Sequence, residues 1–163
     1  MEQKFLIKIQ KIESNLMQYC EVLVVEKEIK DKMFKKALKA QKNAYVPYSE
    51  FPLGAAVLTE DGSIYTGVNI ENASFSLTNC AERSAIFTAI SEGKRKIEAL
   101  LIVSSTETPV TPCGACRQVI NEFADGEIEI IMMTEEGKEL TMTSTELLPG
   151  AFSDSAMEKN NEL

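Results

Sequence analysis

The chain has 163 residues, a formal net charge of −8, no histidine and four cysteines. This length suits one domain whose core is large enough to fold without disulfides, and four cysteines are fewer than small secreted disulfide scaffolds carry. The negative net charge argues against a protein that binds the phosphates of nucleic acids. No apolar run in the sequence is long enough to span a bilayer. We therefore expect a cytoplasmic protein with a small uncharged substrate and without nucleic-acid or membrane partners.

The first 28 residues give two weak signals. Apolar residues at helical spacing favour a short amphipathic helix, although a frayed extension fits equally well. These residues are Phe5, Ile9, Ile12 and Leu16. Cys20 precedes the apolar run 22–25, which fits a strand or a buried helix turn, and we interpret Cys20 as a buried, idle thiol. We expect residues 1–28 to be an extension outside the functional domain.

The rest of the chain alternates helical and strand-like segments. A helical apolar stripe from Ile29 to Ala44 ends before Pro47, and a hairpin follows at 53–69 with turn residues at 60–63. The later segments are a helix at 81–90, a strand at 100–104, a helix at 113–123, strands at 128–133 and 140–143, and a helical turn at 144–148. This alternation predicts a layered α/β domain with helices on the faces of a sheet.

Three cysteines and a glutamate form the chemical signature of the chain. Cys113 and Cys116 are three residues apart at the start of a predicted helix, so both sulfurs lie on one face and can share a metal. Cys80 would be a third ligand, and three protein ligands leave the fourth position of a tetrahedral zinc open to water. Glu82, two residues after Cys80, can carry protons if both residues lie at the first turn of a helix. The pattern favours a catalytic zinc site.

Two other interpretations of the cysteines remain open. A Cys-x-x-Cys pair that opens a helix is also the thioredoxin-like redox signature, but a redox dithiol leaves Cys80 and Glu82 without a role. A closed structural zinc site needs a fourth ligand, which could only be Cys20 or a carboxylate because the chain has no histidine. A zinc scaffold without catalytic activity is the corresponding non-enzymatic hypothesis.

Four motifs together resemble the small homo-oligomeric, tetrameric-type zinc-dependent cytidine deaminases. They are Asn-Ile-Glu-Asn-Ala at 69–73, Cys-Ala-Glu-Arg at 80–83, Pro-Cys-Gly-Ala-Cys-Arg-Gln at 112–118 and Glu-Leu-Leu-Pro-Gly-Ala-Phe at 146–152. The resemblance implies a three-layer cytidine deaminase-like fold with a five-stranded mixed sheet in residues 29–152, followed by a polar tail at 153–163. It also implies deamination of cytidine, and of deoxycytidine, for pyrimidine salvage by a tetramer.

The resemblance assigns the catalytic roles. Zn²⁺ would be held by Cys80, Cys113 and Cys116 and would activate a water that attacks C4 of the pyrimidine. Glu82 would carry the proton of that water to N3 and then to the 4-amino group, and ammonia would leave. A blasticidin-type deaminase shares the metal motifs, but Glu71 favours the nucleoside enzyme.

The resemblance also assigns supporting residues around the metal and the substrate. Arg83 would hydrogen-bond the ligand sulfurs with help from Gln118, and the backbone amide of Ala81 would point to the ring or to the zinc-bound oxygen. The residues implied in binding the rest of the substrate are Phe51 for the base, Asn69 and Glu71 for the ribose 3′-hydroxyl, and Phe152 from a neighbouring subunit. Phe75 stands where many relatives carry tyrosine, so a hydroxyl contact across the interface would be absent.

Overall fold

The computed structural model describes residues 7–11 and 21–153, with residues 7–11 and 21–24 described by their backbone alone. Within these ranges seven strands form one sheet and four α-helices pack on it. The strands are β1 (Ile7–Lys11), β2 (Glu21–Val25), β3 (Leu53–Thr59), β4 (Ile64–Val68), β5 (Ile97–Ser104), β6 (Ala124–Thr134) and β7 (Glu139–Thr143). The helices are α1 (Lys27–Gln41), α2 (Ala81–Ser91), α3 (Gly114–Phe123) and α4 (Ser144–Leu147), with a 3₁₀ turn at Phe75–Leu77.

The predicted five-stranded mixed sheet is confirmed and consists of β4, β3, β5, β6 and β7 in that spatial order. The pairs β3–β4, β3–β5 and β6–β7 are antiparallel, whereas β5 and β6 are parallel. The parallel pair is joined by α3, because strands that run side by side in the same direction need a long crossover. This crossover places the start of α3 at the carboxyl end of β5, where the second cysteine motif lies.

The expectation of a helix near the N-terminus is wrong for residues 7–11, which form strand β1. β1 pairs with β2 in antiparallel fashion, and β2 joins the start of β6 through the pair Leu23 and Ile128. The run 22–25 is accordingly a strand rather than a helix turn. Cys20 and residues 154–163 lie outside the described part of the chain, so their predicted states are not tested. The domain boundaries at residues 28 and 152 also stay predictions.

Helices cover both faces of the sheet because each central strand alternates its buried side chains. Ala55 and Val57 of β3 point to the core beneath α2, α3 and α4, whereas Ala56 and Leu58 point to the core beneath α1. The strand interiors are apolar on both faces, as expected for a sheet enclosed between two helical layers. Leu100 and Leu101 of β5 show the same division. The architecture therefore has three layers.

Two glycines allow the helices to lie unusually close to the sheet. A Cβ at Gly54 would lie 2.2 Å from the carbonyl oxygen of Ala37 in α1. A Cβ at Gly67 would lie 2.1 Å from the amide nitrogen of Ala85 in α2. A glycine inside a strand often marks such an approach of another backbone. Gly67 therefore sets how closely α2, which begins next to Cys80, can approach β4.

Within the described part of the chain, no helix is both long enough and apolar enough to cross a membrane.

Candidate metal centre and active site

Two helix starts bring the three cysteines together. Cys80 is the residue before α2 and Cys113 the residue before α3, and both have extended backbones and no capping bond from their side chains. Cys116 lies in the first turn of α3 and is fully buried. The sulfur of Cys113 is 3.8 Å from that of Cys80 and 3.5 Å from that of Cys116. Both helix N-termini favour thiolates through their free amides and positive dipole ends.

The spacing of the sulfurs fits a tetrahedral metal ion. All three ligand atoms lie within 4.8 Å of one another, and no further group joins them among the residues that the structure describes. With Zn–S bonds of about 2.3 Å, neighbouring sulfurs of a tetrahedral site are about 3.8 Å apart. A disulfide would require about 2.05 Å, so the arrangement is that of free thiols. Soft sulfur donors suit Zn²⁺, and three of them leave one position for another ligand.

The pKa values of Cys80 and Cys116 are shifted in opposite directions. The neighbouring Cys116 thiol, together with Arg83 and Cys113, lowers the pKa of the Cys80 thiol to about 5. The neighbouring Cys80 sulfur, together with burial, raises the pKa of Cys116. A single buried thiolate is tolerated, but further negative charge requires a cation. A divalent metal would therefore balance the negative charge of the three sulfurs.

Glu82 places a buried carboxyl group beside this cluster. Its side chain is buried, with 3% of its surface exposed, and its Oε2 atom has no hydrogen-bond partner among the described residues. Burial, and then the charge of Cys80, raise the pKa of the Glu82 carboxyl. Buried polar atoms are usually paired, so an unpaired carboxylate oxygen is characteristic of a functional group. The arrangement suits a group that takes up and releases a proton.

Arg83 connects the metal centre to the segment before α2. Its Nη2 atom lies 3.7 Å from the sulfur of Cys80 and donates to the carbonyl oxygen of Thr78 at 3.0 Å. Its Nε atom is buried and lacks a partner among the described residues. The guanidinium therefore lies within hydrogen-bond distance of the Cys80 sulfur and binds the segment that precedes Cys80. Its predicted role towards the ligand sulfurs stays a prediction.

Asn69 and Glu71 lie beside the start of α2 but also hold the neighbouring loop. Ile70, between them, exchanges two backbone hydrogen bonds with Asn79, the residue before Cys80. The buried Asn69 amide donates to the carbonyl of Phe51 at 2.7 Å and accepts from the amide of Leu53 at 2.8 Å.

Glu71 binds the same loop, residues 45–53, at its other end. Its Oε2 atom accepts from the backbone amides of Tyr48 at 2.9 Å and Ser49 at 3.2 Å. The hydrogen bonds from Ser49, and then that from Tyr48, outweigh the small effect of burial and lower the pKa of the exposed Glu71 carboxyl. The sequence suggests a role in substrate binding for Asn69 and Glu71. The structure adds that both side chains also hold loop 45–53 in place.

The C-terminal motif, residues 146–152, is hydrogen-bonded to side chains of α3. Gln118 donates to the carbonyl of Phe152 at 2.9 Å, whereas its predicted contact with the sulfurs stays untested. Arg117 donates to the carbonyls of Pro112 and Leu147 at 2.8 and 2.9 Å. Sequence reasoning gave Arg117 no definite role, because Leu147 lies in a distant segment that meets Arg117 only in the fold. The side chain of Phe152 is 59% exposed.

Comparison with known proteins gives matches along most of the chain. Residues 27–132 match the family described as "Cytidine and deoxycytidylate deaminase zinc-binding region". A cytidine deaminase of Sporosarcina psychrophila is 54% identical over 123 residues, which are 76% of this chain and 90% of the relative. A cytidine deaminase of Halalkalibacterium halodurans is 51% identical over 120 residues, covering 74% and 91% of the two chains.

Solved structures give the same result for the fold. The cytidine deaminase of Burkholderia pseudomallei aligns with a TM-score of 0.72 and 41% identity over 75% of this chain and 98% of that one. The cytidine deaminase of Mycobacterium tuberculosis aligns with a TM-score of 0.66 and 37% identity over 76% and 96% of the two chains. Together with the cluster of three thiols, these matches show that the chain belongs to the cytidine and deoxycytidylate deaminase zinc-binding family.

Proposed function

We propose that this protein catalyses the zinc-dependent hydrolytic deamination of cytidine, and of deoxycytidine, to uridine and deoxyuridine with release of ammonia. The observation that carries the proposal is the buried carboxyl of Glu82, whose Oε2 atom is unpaired among the described residues, beside three thiols spaced for one tetrahedral metal. The names of the relatives at 54% and 51% identity support the choice of substrate. A role in pyrimidine salvage and a cytoplasmic location follow as expectations from the sequence.

Cys80, Cys113 and Cys116 would hold the metal. When bound, Zn²⁺ acts as a Lewis acid that lowers the pKa of a water molecule towards neutrality. Three thiolates carry more charge than the ion can neutralise, which opposes that effect. The two helix N-termini and the guanidinium of Arg83, 3.7 Å from the sulfur of Cys80, withdraw charge from the ligands. These donors make an all-cysteine site compatible with hydrolysis.

Glu82 moves the protons of the reaction. It takes a proton from the attacking water and delivers it to N3 of the pyrimidine while the water oxygen bonds to C4. It then takes the proton of the new C4 hydroxyl group and delivers it to the 4-amino group. The bond from C4 to that nitrogen breaks, the C4 carbonyl forms, and ammonia leaves. A raised pKa, caused by burial, suits a carboxyl that must accept and return a proton in each cycle.

Loop 45–53 and the segment 69–71 would hold the nucleoside. Phe51 would stack on the base, and the amide of Ala81 would point to the ring or to the attacking oxygen. Asn69 and Glu71 would bind the ribose 3′-hydroxyl. Glu71 uses one oxygen for the loop, so its other oxygen can accept a hydrogen bond from a sugar hydroxyl.

The proposal includes a homo-oligomer, with a tetramer favoured, in which Phe152 of one subunit closes the pocket of another. Large apolar side chains in the chain are exposed, which is typical of protein–protein contacts. Phe75 is 72% exposed, Leu77 68% and Phe152 59%. Light scattering after size exclusion should give about four times the chain mass of 18.1 kDa. A mass of one chain at all concentrations would contradict this part.

The test of the activity follows the ultraviolet change on mixing the protein with cytidine, deoxycytidine or blasticidin, together with a zinc determination. Glu82→Gln should retain about one zinc per chain and lose about 10²–10⁴-fold in kcat. Glu98→Gln, a partly buried carboxyl in β5 outside the site, is the matched control and should turn over normally. Zinc without turnover of either nucleoside would refute the proposed substrate, and protein without zinc would refute the mechanism.

A further inference from the structure

The basic residues of this acidic protein are concentrated on one helix. Seven of its 17 lysines and arginines lie between Lys27 and Lys42, where there are only two acidic residues. The chain as a whole carries a formal net charge of −8. The negative end of α1 accounts for a basic residue in its last turn, but not for Lys32 and Lys36 in its first three turns.

Four of these lysines line an open groove between α1 and the edge strand β4. The groove consists of two adjoining cavities of about 470 and 600 Å³, which share Lys36 and Ile64. Lys32 lies in the first cavity, and Lys39 and Lys42 lie in the second. The two cavities together form one continuous binding surface.

The lysines form a row rather than a single point of charge. Lys32, Lys36 and Lys39 recur at helical spacings of four and three, so they lie on one face and span about 10 Å along the axis. The Nζ atom of Lys36 reaches across to the carbonyl of Ile64 at 3.3 Å. Lys32 is paired with Glu28, whereas Lys39 and Lys42 have no acidic partner among the described residues.

Hydroxyl and amide groups complete the lining. Ser63 lies in the first cavity, and Asn43 and Thr66 lie in the second. Glu60, at this end of β4, accepts hydrogen bonds from the backbone amides of Arg95 and Lys96, and it does not line the groove. Asp61 is hydrogen-bonded to the amide of Ser63 and paired with Lys94. Its charge is therefore already compensated, and the groove stays positive.

We propose that the groove between α1 and β4 binds a linear polyphosphate, either as the triphosphate of a nucleotide or as a free phosphate chain. A single phosphate would meet one or two ammonium groups, whereas a chain of phosphates meets the whole row. Lysine binds phosphate as a point charge with rotatable donors, which suits an elongated anion better than a planar carboxylate. Tyr65 lines the first cavity, but it is partly buried against the hydrophobic core, so the described lining offers no free ring on which the bases of a nucleic acid strand would stack. This proposal is independent of the chemistry at the thiol cluster.

The test is isothermal titration of the zinc-loaded full chain with tripolyphosphate, with CTP and with orthophosphate, at about 50 mM salt, where surface charges are weakly screened. We expect about one tripolyphosphate per chain, and weaker binding of orthophosphate. CTP binding more tightly than tripolyphosphate would identify a nucleotide as the ligand, whereas equal affinities would identify the phosphate chain alone. The zinc content of the protein is measured before and after each titration, because polyphosphates also bind divalent metals. In a second control, CTP is titrated in the presence of saturating uridine, which blocks the proposed active site.

Paired variants separate this groove from general charge attraction. Lys36→Gln with Lys39→Gln should weaken tripolyphosphate binding about tenfold. Lys27→Gln with Lys35→Gln removes the same charge from exposed positions of the same helix that do not line the groove, and should change binding less than twofold. Equal losses in both variants, orthophosphate binding as tight as tripolyphosphate, or no binding would each overturn the proposal.

Discussion

Replacing Gly67 with alanine tests whether the packing of α2 on β4 sets the position of the candidate site. The new Cβ would lie 2.1 Å from the amide nitrogen of Ala85 and 2.6 Å from the carbonyl oxygen of Ala81. Both obstructing atoms belong to the backbone of α2, so no side chain can rotate to relieve them. Because Cβ contacts below 3.0 Å are essentially never seen, the contact with Ala85 must lengthen by about 0.9 Å.

The expected cost has a structural and a catalytic part. Overpacking of this kind destabilises a protein by about 1–3 kcal/mol, and for a chain of this size each kcal/mol lowers the melting temperature by about 2–4 °C. The displaced helix begins next to Cys80 and carries Glu82 in its first turn. A misplacement of about 1 Å at a reacting centre can reduce turnover about 10²-fold. We therefore expect Gly67→Ala to lose activity out of proportion to its loss of stability.

Three measurements on the same samples examine this reasoning: cytidine turnover, zinc affinity by competition with a chelator, and thermal unfolding. Gly114→Ala is the control for stability, because a Cβ there meets no atom within 4 Å. It should melt at or slightly above the wild-type temperature, because alanine favours a helix more than glycine does. If Gly67→Ala keeps wild-type turnover, zinc affinity and melting temperature, the close approach of α2 does not position the site.

Three further predictions concern single side chains. Asn69→Ala leaves two partly buried backbone groups without their side-chain partner and should cost about 1–3 kcal/mol in denaturant unfolding. Asn72→Ala, at an exposed turn, should cost much less. Arg83→Gln should weaken zinc binding about 10–100-fold in a chelator competition. Arg95→Gln, at an exposed position, is the control. Equal zinc affinities of the two variants would contradict the proposed action of the Arg83 guanidinium on the Cys80 sulfur. Burial, and after it neighbouring carboxylates, raise the pKa of Glu98, so the folded state disfavours its charged form. Glu98→Gln should therefore be more stable than the wild type at pH 8. The gain in stability should disappear below about pH 4, because there the carboxyl is protonated in both the folded and the unfolded state. A gain that does not depend on pH would show that the raised pKa of Glu98 is not its cause.

Most elements of the fold could be predicted because their signals are local. The strand at 53–59 and the helix that begins at Ala81 follow from apolar patterning and from turn residues at their ends. The segment 7–11 could not be assigned in this way. Ile7 and Ile9 fit a strand as well as a helix over so few residues, and the pairing of β1 with β2 decides between them. Pairing partners are set by distant parts of the chain, which a local pattern does not contain.

The amino-acid sequence by itself determined which atoms are available for chemistry: three thiols, one carboxyl two residues after the first thiol, and the helix starts that hold them. It also determined the layered α/β class, because the periods of its apolar residues are local properties. Only the tertiary structure decided that the sulfurs of Cys80 and Cys113, 33 residues apart, lie 3.8 Å from each other. Only the structure decided that Glu82 is buried with one carboxylate oxygen unpaired among the described residues, and that Gly67 lets α2 approach the sheet. These properties arise from the packing of separate segments, whose distances and desolvation depend on the whole fold.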